Sequence, residues 1–260
     1  MNRRLKILLA VAAVCVFFAV TALAYVHAVE NRRMTACNAL EIVFKDSLKF
    51  VSEEDIRNYL SRDYGSFIGE RLDSLGLWKM EEILRSKSAV NDCEAWVTDD
   101  GIVHVAITQR APAVRFEKDG YGFYADSRGC IFPLHKSYTA DVPVVSGAVP
   151  LNAGASYKGE PKTGKEREWL RGVIALLDWI DASRTWKGKV TGMSVNEAGD
   201  LVLTLDGMGE KFIFGRPDKF DYKFSQVEKY RSYILPANEG KPYKSVNLKY
   251  NKQIICRKDI

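Results

Sequence analysis

The sequence predicts an α+β protein that carries one N-terminal transmembrane helix, and three observations lead to this prediction. An uncharged apolar run occupies residues 7–26. Residues 38–110 then show period-two and helical hydrophobic patterns in the order β-α-α-β-β. Residues 111–260 contain many short extended runs between turn residues, which is typical of a mainly antiparallel β-rich domain with flanking helices. The chain therefore divides into a tail at residues 1–6, a membrane segment at residues 7–29 and two further domains.

The apolar run has the length and the flanks of a signal anchor. Three basic residues precede it, and its twenty residues include no charge and no proline. At about 1.5 Å per residue, a helix of this length extends about 30 Å, the thickness of the hydrocarbon core of a bilayer. Tyr25 and His27 stand near its end, where amphipathic rings meet the membrane surface. The predicted anchor includes Ile7, Val16, Phe17, Phe18 and Val26.

A cleaved signal peptide is the alternative interpretation of this run, because Ala22-Leu23-Ala24 fits the small-residue pattern of a signal-peptidase site. The run exceeds the apolar region of a signal peptide, about 7–15 residues, and this length favours a retained anchor. Arg32 and Arg33 beyond the run weaken the positive-inside bias. A short basic tail before a large domain still favours a cytoplasmic N-terminus and an exported domain from residue 30.

Composition limits the partners and the covalent links of the exported part. The net charge of +5 is spread over 260 residues without a basic stripe, so we expect no nucleic-acid partner. Cys37, Cys93, Cys130 and Cys256 show neither Cys-x-x-Cys nor zinc-ligand spacing. They allow three disulfide pairings that the sequence does not rank, and free, largely buried thiols are the interpretation that we prefer.

Local signals support each element of residues 38–110. Residues 39–45 alternate apolar and polar side chains, which predicts a strand. Ser52 stands before three acids and is a good N-cap, which predicts a helix from residue 53. An apolar stripe at helical spacing predicts a second helix over residues 77–85. Asp99-Asp100-Gly101 between two extended runs predicts a hairpin, because such turns need residues with positive φ.

Residues 111–260 alternate strand and helix signals less regularly. Residues 166–183 form a predicted amphipathic helix, and Pro217 is expected at the first position of another. Extended runs are predicted at residues 189–195, 201–205, 211–214, 245–250 and 253–257. The last two runs flank Asn251-Lys252 and would form the end of a sheet.

The sequence contains no motif that carries catalytic chemistry. His27, His104 and His135 lie far apart and lack metal-ligand spacing. Gly-x-Ser-x-Gly, His-Glu-x-x-His and phosphate-binding-loop motifs do not occur. We therefore predict no catalytic, cofactor-binding or metal-binding residue. A membrane-anchored or secreted envelope enzyme, such as a hydrolase with an active site assembled from distant residues, stays the alternative.

Five short segments, in their order along the chain, resemble motifs of the FtsQ/DivIB family. Gln109-Arg110-Ala111-Pro112 resembles its Glu-Arg-x-Pro, and residues 125–132, Ala-Asp-Ser-Arg-Gly-Cys-Ile-Phe, resemble its Val-Asp-x-x-Gly-x-x-Phe. Residues 142–147 are similar to its Leu-Pro-x-x-x-Gly, Phe214-Gly215-Arg216 to its Leu-Gly-Arg, and Asn247-Leu248-Lys249-Tyr250 to its Asp-Leu-Arg-Tyr. The resemblance covers essentially the whole chain, and the departures at Gln109, Asn247 and Lys249 indicate a divergent branch.

This resemblance implies a function and a location. It implies a POTRA-like domain at residues 38–110 and a C-terminal β-domain at residues 111–260. It implies a non-catalytic scaffold in the cell inner membrane, single-pass, with a periplasmic C-terminal domain. Such a scaffold recruits the FtsB/DivIC–FtsL pair and connects it to the septal peptidoglycan synthase, and it contacts membrane lipid through its anchor.

The resemblance also suggests a site, at the edge of the last sheet. An edge strand offers unpaired N–H and C=O groups to which an extended partner segment can add. The predicted partner-binding residues are Lys249, Tyr250, Gln253, Ile254, Ile255, Cys256 and Arg257. The alternative is that Leu248 and Ile254 belong to the core while Lys249 and Tyr250 form a solvated strand face.

A POTRA-bearing assembly or transport module is the third class of function that we considered. Such a protein normally carries repeated POTRA units or a barrel. This chain shows one such unit and no long series of amphipathic strands, which disfavours that class.

Overall fold

The computed structural model describes residues 3–135 and 138–258, and within the first helix it describes the side chains of residues 12–28. The chain divides into two compact units, Met1–Gln109 and Arg110–Ile260.

Unit 1 begins with the long helix α1 (Arg3–Met34), whose described side chains are all exposed. Four of the predicted anchor residues have side chains that are more than half exposed: Val16, Phe17, Phe18 and Val26. The side chain of Ile7 lies outside the described residues. Among the residues that the structure describes, no helix is both long enough and apolar enough to cross a membrane. The anchor at residues 7–29 therefore stays a prediction.

A three-stranded sheet and two helices form the rest of unit 1. The strands are β1 (Ala39–Phe44), β2 (Val90–Val97) and β3 (Ile102–Gln109), and the helices are α2 (Glu53–Asp63) and α3 (Leu77–Arg85). The sheet has the order β1-β3-β2, with β1 parallel and β2 antiparallel to β3. The predicted β-α-α-β-β order is confirmed.

The local signals of unit 1 work as the sequence indicates. Ser52 accepts a hydrogen bond from the N–H of Asp55, and the Asp55 carboxylate accepts one from the N–H of Ser52, so α2 begins with a capping box. Gly101 closes the β2–β3 hairpin with φ at 90°. A Cβ at Gly101 would lie 2.6 Å from the carbonyl oxygen of Ala36, so only glycine fits this turn.

Unit 2 contains nine strands and two main helices in the described residues. They are β4 (Pro112–Lys118), β5 (Tyr121–Asp126), β6 (Ile131–Pro133), β7 (Val144–Gly147), α4 (Gly164–Ala182), β8 (Val190–Val195), β9 (Leu201–Leu205), β10 (Lys211–Gly215), α5 (Phe220–Lys229), β11 (Ser245–Asn247) and β12 (Ile255–Arg257). A π-helical segment, Tyr230–Ile234, and a short turn of helix, Leu235–Ala237, follow α5.

All nine strands form one sheet, in the order β12-β11-β10-β9-β8-β7-β4-β5-β6. The pairs β4–β7, β7–β8 and β10–β11 are parallel, and the other five described pairs are antiparallel. The sheet is thus mixed but mainly antiparallel, as the sequence predicted, and its three parallel pairs are the feature that the sequence did not predict. Each parallel pair has a long connection between its strands, which contains β5 and β6 for β4–β7, α4 for β7–β8 and α5 for β10–β11. Connections of this kind return the chain in the same direction and so produce parallel pairs.

One hydrophobic cluster joins the helices of unit 2 to the sheet. From α4 it includes Leu170, Val173, Leu176 and Ile180, and from α5 it includes Phe224 and Val227. Strand residues such as Phe116, Leu203 and Phe212 complete it, all 1% exposed or less. The apolar faces of α4 and α5 therefore point into this shared core, and their polar faces point toward solvent.

Two boundaries in unit 2 differ from those that the sequence predicted. Pro217 does not start a helix; α5 begins at Phe220, after Lys219 in the left-handed region at φ 51°. The Lys223 ammonium holds the preceding loop by donating to the carbonyl of Arg216 and the carboxylate of Asp218, each at 2.6 Å. The last two strands are also shorter than the predicted runs 245–250 and 253–257. The Asn247 side chain accepts from the N–H of Lys249, a local bond that competes with the strand ladder.

Candidate functional site

Strand β12 lies at one end of the nine-stranded sheet. It pairs with β11 in antiparallel register, Ser245 with Arg257 and Asn247 with Ile255. Among residues 3–135 and 138–258, no strand pairs with the other side of β12. This end of the sheet is therefore an open edge on which an extended segment could add.

The predicted site residues 253–257, of which the last three form β12, divide between two faces. Ile254 and Cys256 are partly buried and pack against the core of unit 2. Ile255 is 42% exposed, and Gln253 and Arg257 are also exposed. Ile254 and Cys256 thus support the strand from the core side, while the other residues of this group face solvent.

Lys249 is held within the protein by an ion pair. Its ammonium lies 2.7 Å from the Asp200 carboxylate, and this hydrogen bond raises the pKa of Lys249. Its aliphatic stem crosses Gly215, where a Cβ would lie 2.5 Å from the Lys249 Cγ. Gly215 also has φ at 78°, so both its backbone conformation and the Lys249 stem require glycine. The structure thereby joins the Phe214-Gly215-Arg216 segment to the segment that contains Lys249.

The turn between β11 and β12 is fixed by helix α5. The hydroxyl of Tyr222 accepts a hydrogen bond from the N–H of Lys252 at 2.5 Å. Lys252 has φ at 61°, which ends the extended run and reverses the chain. Tyr250, just before this turn, is 48% exposed. The hairpin therefore presents Tyr250 and the outer side of β12 from a position set by Tyr222 and Asp200.

The segment around β11 and β12 is cationic. Residues 240–258 contain no acid and six basic residues, which are Lys241, Lys244, Lys249, Lys252, Arg257 and Lys258. Within the described residues, Lys249 is ion-paired with Asp200, and Lys241 is ion-paired with Glu239, which lies just before the segment. The edge therefore attracts negatively charged partners at low ionic strength.

A buried acid and a buried tyrosine lie beneath this end of the sheet. The Tyr230 hydroxyl donates to the Glu210 carboxylate at 2.5 Å, and the two residues are 0% and 1% exposed. Burial and this hydrogen bond raise the pKa of Tyr230. Burial, and then the charge of Glu210, raise the pKa of Cys256. No sequence signal pointed to this pair, because the two residues lie on different elements.

Two of the motif segments meet in a buried ion pair. Arg110 Nη1 lies 2.7 Å from Asp126 Oδ2, and the two side chains are 9% and 6% exposed. The other carboxylate oxygen of Asp126 accepts from the backbone N–H groups of Arg128 and Cys130. Asp126 thus closes the β5–β6 turn and fixes the start of unit 2 at Arg110.

Gln109 replaces the acid of the family motif, and both polar atoms of its side-chain amide form hydrogen bonds. Its Nε2 donates to the Asp46 carboxylate at 2.9 Å and to the carbonyl of Leu48 at 2.5 Å. Its Oε1 accepts from the N–H of Val51 at 3.0 Å. A glutamate could not donate to Asp46, so the amide fits this site where a carboxylate would not.

The cysteines and the titratable residues of the described chain form no covalent or metal site. The five cysteines are free thiols, and burial raises the pKa of the Cys93 thiol to about 12. Among the residues described, no group of three or more His, Cys, Asp and Glu side chains could hold a metal ion.

Comparison with known families assigns both units. A POTRA-like domain model matches residues 35–108. The family model described as FtsQ/DivIB, C-terminal related, matches residues 111–257, which is more than half of the chain. Comparison with curated proteins finds none that matches. The chain belongs to the FtsQ/DivIB family.

Proposed function

We propose that this protein is a non-catalytic division scaffold that takes up an extended segment of an FtsB/DivIC-like partner at the open edge of β12. Members of the FtsQ/DivIB family are cell-division proteins that act without catalysis. In the proposed complex, an FtsL-like protein accompanies the partner. The complex links this chain to septal peptidoglycan synthesis.

The open edge of β12 is the observation that carries this proposal. An added strand would bond to main-chain groups on the side of β12 that no described strand covers. Such bonds supply affinity without requiring a deep pocket. The exposed side chains of Ile255, Arg257 and Tyr250 would then select among partner sequences.

The opposite end of the same sheet offers a poorer edge. There Ile131 of β6 exchanges two backbone hydrogen bonds with Gly159, at 2.8 Å and 2.9 Å. The segment that contains Gly159 thus covers part of β6. Strand addition at this end would have to displace Gly159, whereas addition at β12 displaces no described segment.

Individual site residues have different roles in the proposed complex. Ile255, Arg257, Gln253 and Tyr250 would contact the partner because they are exposed. Ile254 and Cys256 would support β12 from the core, and Lys249 would hold the hairpin through Asp200.

Residues 7–29 anchor the protein in the membrane in this proposal. The run is uncharged from Ile7 to Val26, and its described side chains are exposed. Exposed apolar surface of this kind is unfavourable in water and favourable in lipid. The tail at residues 1–6 would lie in the cytoplasm and the two units in the periplasm of the cell inner membrane.

Amide hydrogen exchange on the full chain in detergent micelles tests the proposal. Adding the ectodomains of the FtsB/DivIC-like and FtsL-like partners should slow exchange at residues 254–257 and should lower it little elsewhere in unit 2. A chain truncated after Tyr250 should lose binding. Unchanged binding by the truncated chain, or protection confined to another region, would refute strand addition at β12.

A matched control separates main-chain pairing from general adhesion. A synthetic partner peptide that carries N-methyl groups on alternate residues cannot donate along one side. Methylation in one register should abolish binding, while methylation in the other register should leave it nearly unchanged. Equal binding by both peptides would show that main-chain pairing is not the basis of recognition.

A further inference from the structure

The three-stranded sheet of unit 1 has two edges, and side chains bond to one main-chain group of β1 and to several of β2. On β1, the guanidinium of Arg57 donates to the carbonyl oxygen of Leu40 at 2.9 Å. On β2, two side chains of α3 bond to the strand itself. This arrangement contrasts with the edge of β12, where no described side chain bonds to the outer main-chain groups.

The register of β2 shows which of its groups face outward. The N–H of Thr98 donates to the carbonyl of Ile102, so Thr98 lies in a pair that bonds toward β3. In an antiparallel ladder every second residue bonds to the neighbouring strand, and those between face the other way. Cys93 and Ala95 therefore direct their N–H and C=O groups away from β3.

Glu81 and Arg85 occupy these outward groups. Glu81 Oε1 accepts from the N–H of Ala95 at 2.8 Å, and Arg85 Nη2 donates to the carbonyl of Cys93 at 2.5 Å. The remaining N–H of Cys93 donates to the carboxylate of Asp92 at 2.9 Å. Three successive outward groups of β2 are thus bonded to charged side chains.

The two α3 residues also support each other. Glu81 and Arg85 are four positions apart on the helix, so both project toward β2 from the same face. Arg85 Nη1 lies 3.2 Å from Glu81 Oε2, and Arg85 Nε lies 3.0 Å from Asp92 Oδ1. Hydrogen bonds to ionised groups are stronger than those between neutral groups, so an incoming strand must displace strong bonds.

We propose that Glu81 and Arg85 form an edge clamp that determines where an extended segment can pair with this protein. The clamp blocks strand addition at β2 and so favours β12 over β2; this consequence for partner choice rests on the proposed function. When the clamp is removed, a second copy of the chain pairs with β2. Two identical β2 strands can pair antiparallel about a twofold axis and satisfy both edges at once.

Amide exchange at Ala95 tests the contact itself, on the full chain in detergent micelles. Glu81→Ala should raise the exchange rate of the Ala95 amide about tenfold, because a bond to a charged acceptor is lost. Glu81→Gln should restore most of the protection, since its side-chain oxygen still accepts. Glu94→Gln is the matched control; it removes a carboxylate from β2 that pairs with Lys45 at 2.6 Å. An Ala95 amide that exchanges equally in all variants would overturn the clamp.

Sedimentation tests the consequence for pairing. The double variant Glu81→Ala/Arg85→Ala should self-associate at least about tenfold more tightly than the wild type or Glu94→Gln. A far-ultraviolet circular dichroism spectrum and a thermal midpoint equal to those of the wild type would exclude unfolding of the double variant as the cause. Glu81→Gln serves as a second, milder variant. Self-association that equals the wild type, with Ala95 deprotected, would refute the role of the clamp in pairing.

Partner binding in the same variants distinguishes this inference from the proposed function. Failure of every variant and of the wild type to bind the FtsB/DivIC-like partner at β12 would count against the proposed function. It would leave the exchange and sedimentation results, and hence the clamp, unaffected. If the partner slows amide exchange in β2 in the clamp variants but not in the wild type, this result would support the role of the clamp in directing the partner to β12.

Discussion

The Lys249 ammonium lies 2.7 Å from the Asp200 carboxylate, so a residue of the C-terminal hairpin is tied to the turn before β9. Lys249 stands where the family motif has arginine. A lysine presents one compact charge instead of a planar fork, and here that charge is directed at Asp200. The residue that resembles a partner contact therefore acts first as an internal support for the hairpin.

Loss of this ion pair should loosen the hairpin modestly. We expect Asp200→Asn and Lys249→Met each to lower the stability of unit 2, with a coupling between them of about 0.5–1 kcal/mol, because the pair is partly exposed. The pKa of Lys249 is raised, so its contribution is present at neutral pH and is lost only as pH rises through that pKa. Urea unfolding of the two single variants and the double variant measures the coupling. Asp206→Asn, in an exposed turn, should leave stability unchanged; an equal loss there would contradict the assignment.

The buried pair of Arg110 and Asp126 should matter much more. Asp126→Ala leaves the guanidinium without its buried carboxylate and opens the β5–β6 turn, so we expect a loss of about 3–5 kcal/mol. Arg128→Ala is the control, because Arg128 lies 3.9 Å from the same carboxylate on the exposed side. It should cost less than about 0.5 kcal/mol. Equal effects of the two variants in thermal unfolding would show that burial does not determine the contribution of Asp126.

Restoring the family acid at position 109 should destabilise unit 1. In Gln109→Glu a carboxylate faces Asp46 and two donor bonds are lost, for which we expect a cost of about 2 kcal/mol or more at neutral pH. The repulsion would raise the pKa of the new carboxyl in the folded state. Folding then favours its protonated form, so the cost should shrink as pH falls toward about 4. Urea unfolding at several pH values measures this, and a cost independent of pH would exclude the repulsion.

Tyr230 should contribute a pH-dependent stability term at alkaline pH. Its pKa is raised in the folded state, so the contribution is complete below its ordinary value near 10 and is lost as pH rises toward the folded pKa. Tyr230→Phe also leaves Glu210 without its donor and should cost about 1–3 kcal/mol at neutral pH. The difference in unfolding free energy between wild type and Tyr230→Phe should begin to narrow as pH rises above about 10. Tyr233→Phe, at a site 74% exposed, should show no such narrowing.

The cationic segment predicts salt-dependent partner binding. With six basic residues and no acid in residues 240–258, association should slow several-fold as salt rises from about 0.05 M to 0.5 M. Charge reversal by Lys252→Glu/Arg257→Glu should reduce the association rate and its salt dependence. Lys187→Glu lies outside this segment and should change neither. A salt-independent rate measured by surface plasmon resonance would argue against electrostatic steering.

Much of unit 1 was predictable because its signals are local. Helix α3 spans Leu77–Arg85 as its apolar stripe predicted, and Ser52 caps α2 through a bond three residues away. Gly101 marks the β2–β3 hairpin because the turn needs a positive φ. Each of these features depends on neighbours within a few positions, so the sequence displays it directly.

The candidate site was predictable in part. The two extended runs around Asn251-Lys252 indicated the β11–β12 hairpin, but not the termination of β11 by the Asn247 side chain. Pro217 suggested a helix start that the Lys223 contacts shift to Phe220. Side-chain bonds of this kind depend on where the chain returns, which periodicity does not encode.

The sequence alone determined most of the helical and extended segments, the family and the position of the last hairpin, because each depends on local pattern or on motif order. Only the tertiary structure decided the nine-stranded order, the three parallel pairs and which edges are open. It alone joined Lys249 to Asp200, Arg110 to Asp126, and Glu81 to the main chain of β2. The reason is physical: these bonds join atoms that are remote along the chain, and packing around a common core brings them within hydrogen-bonding distance.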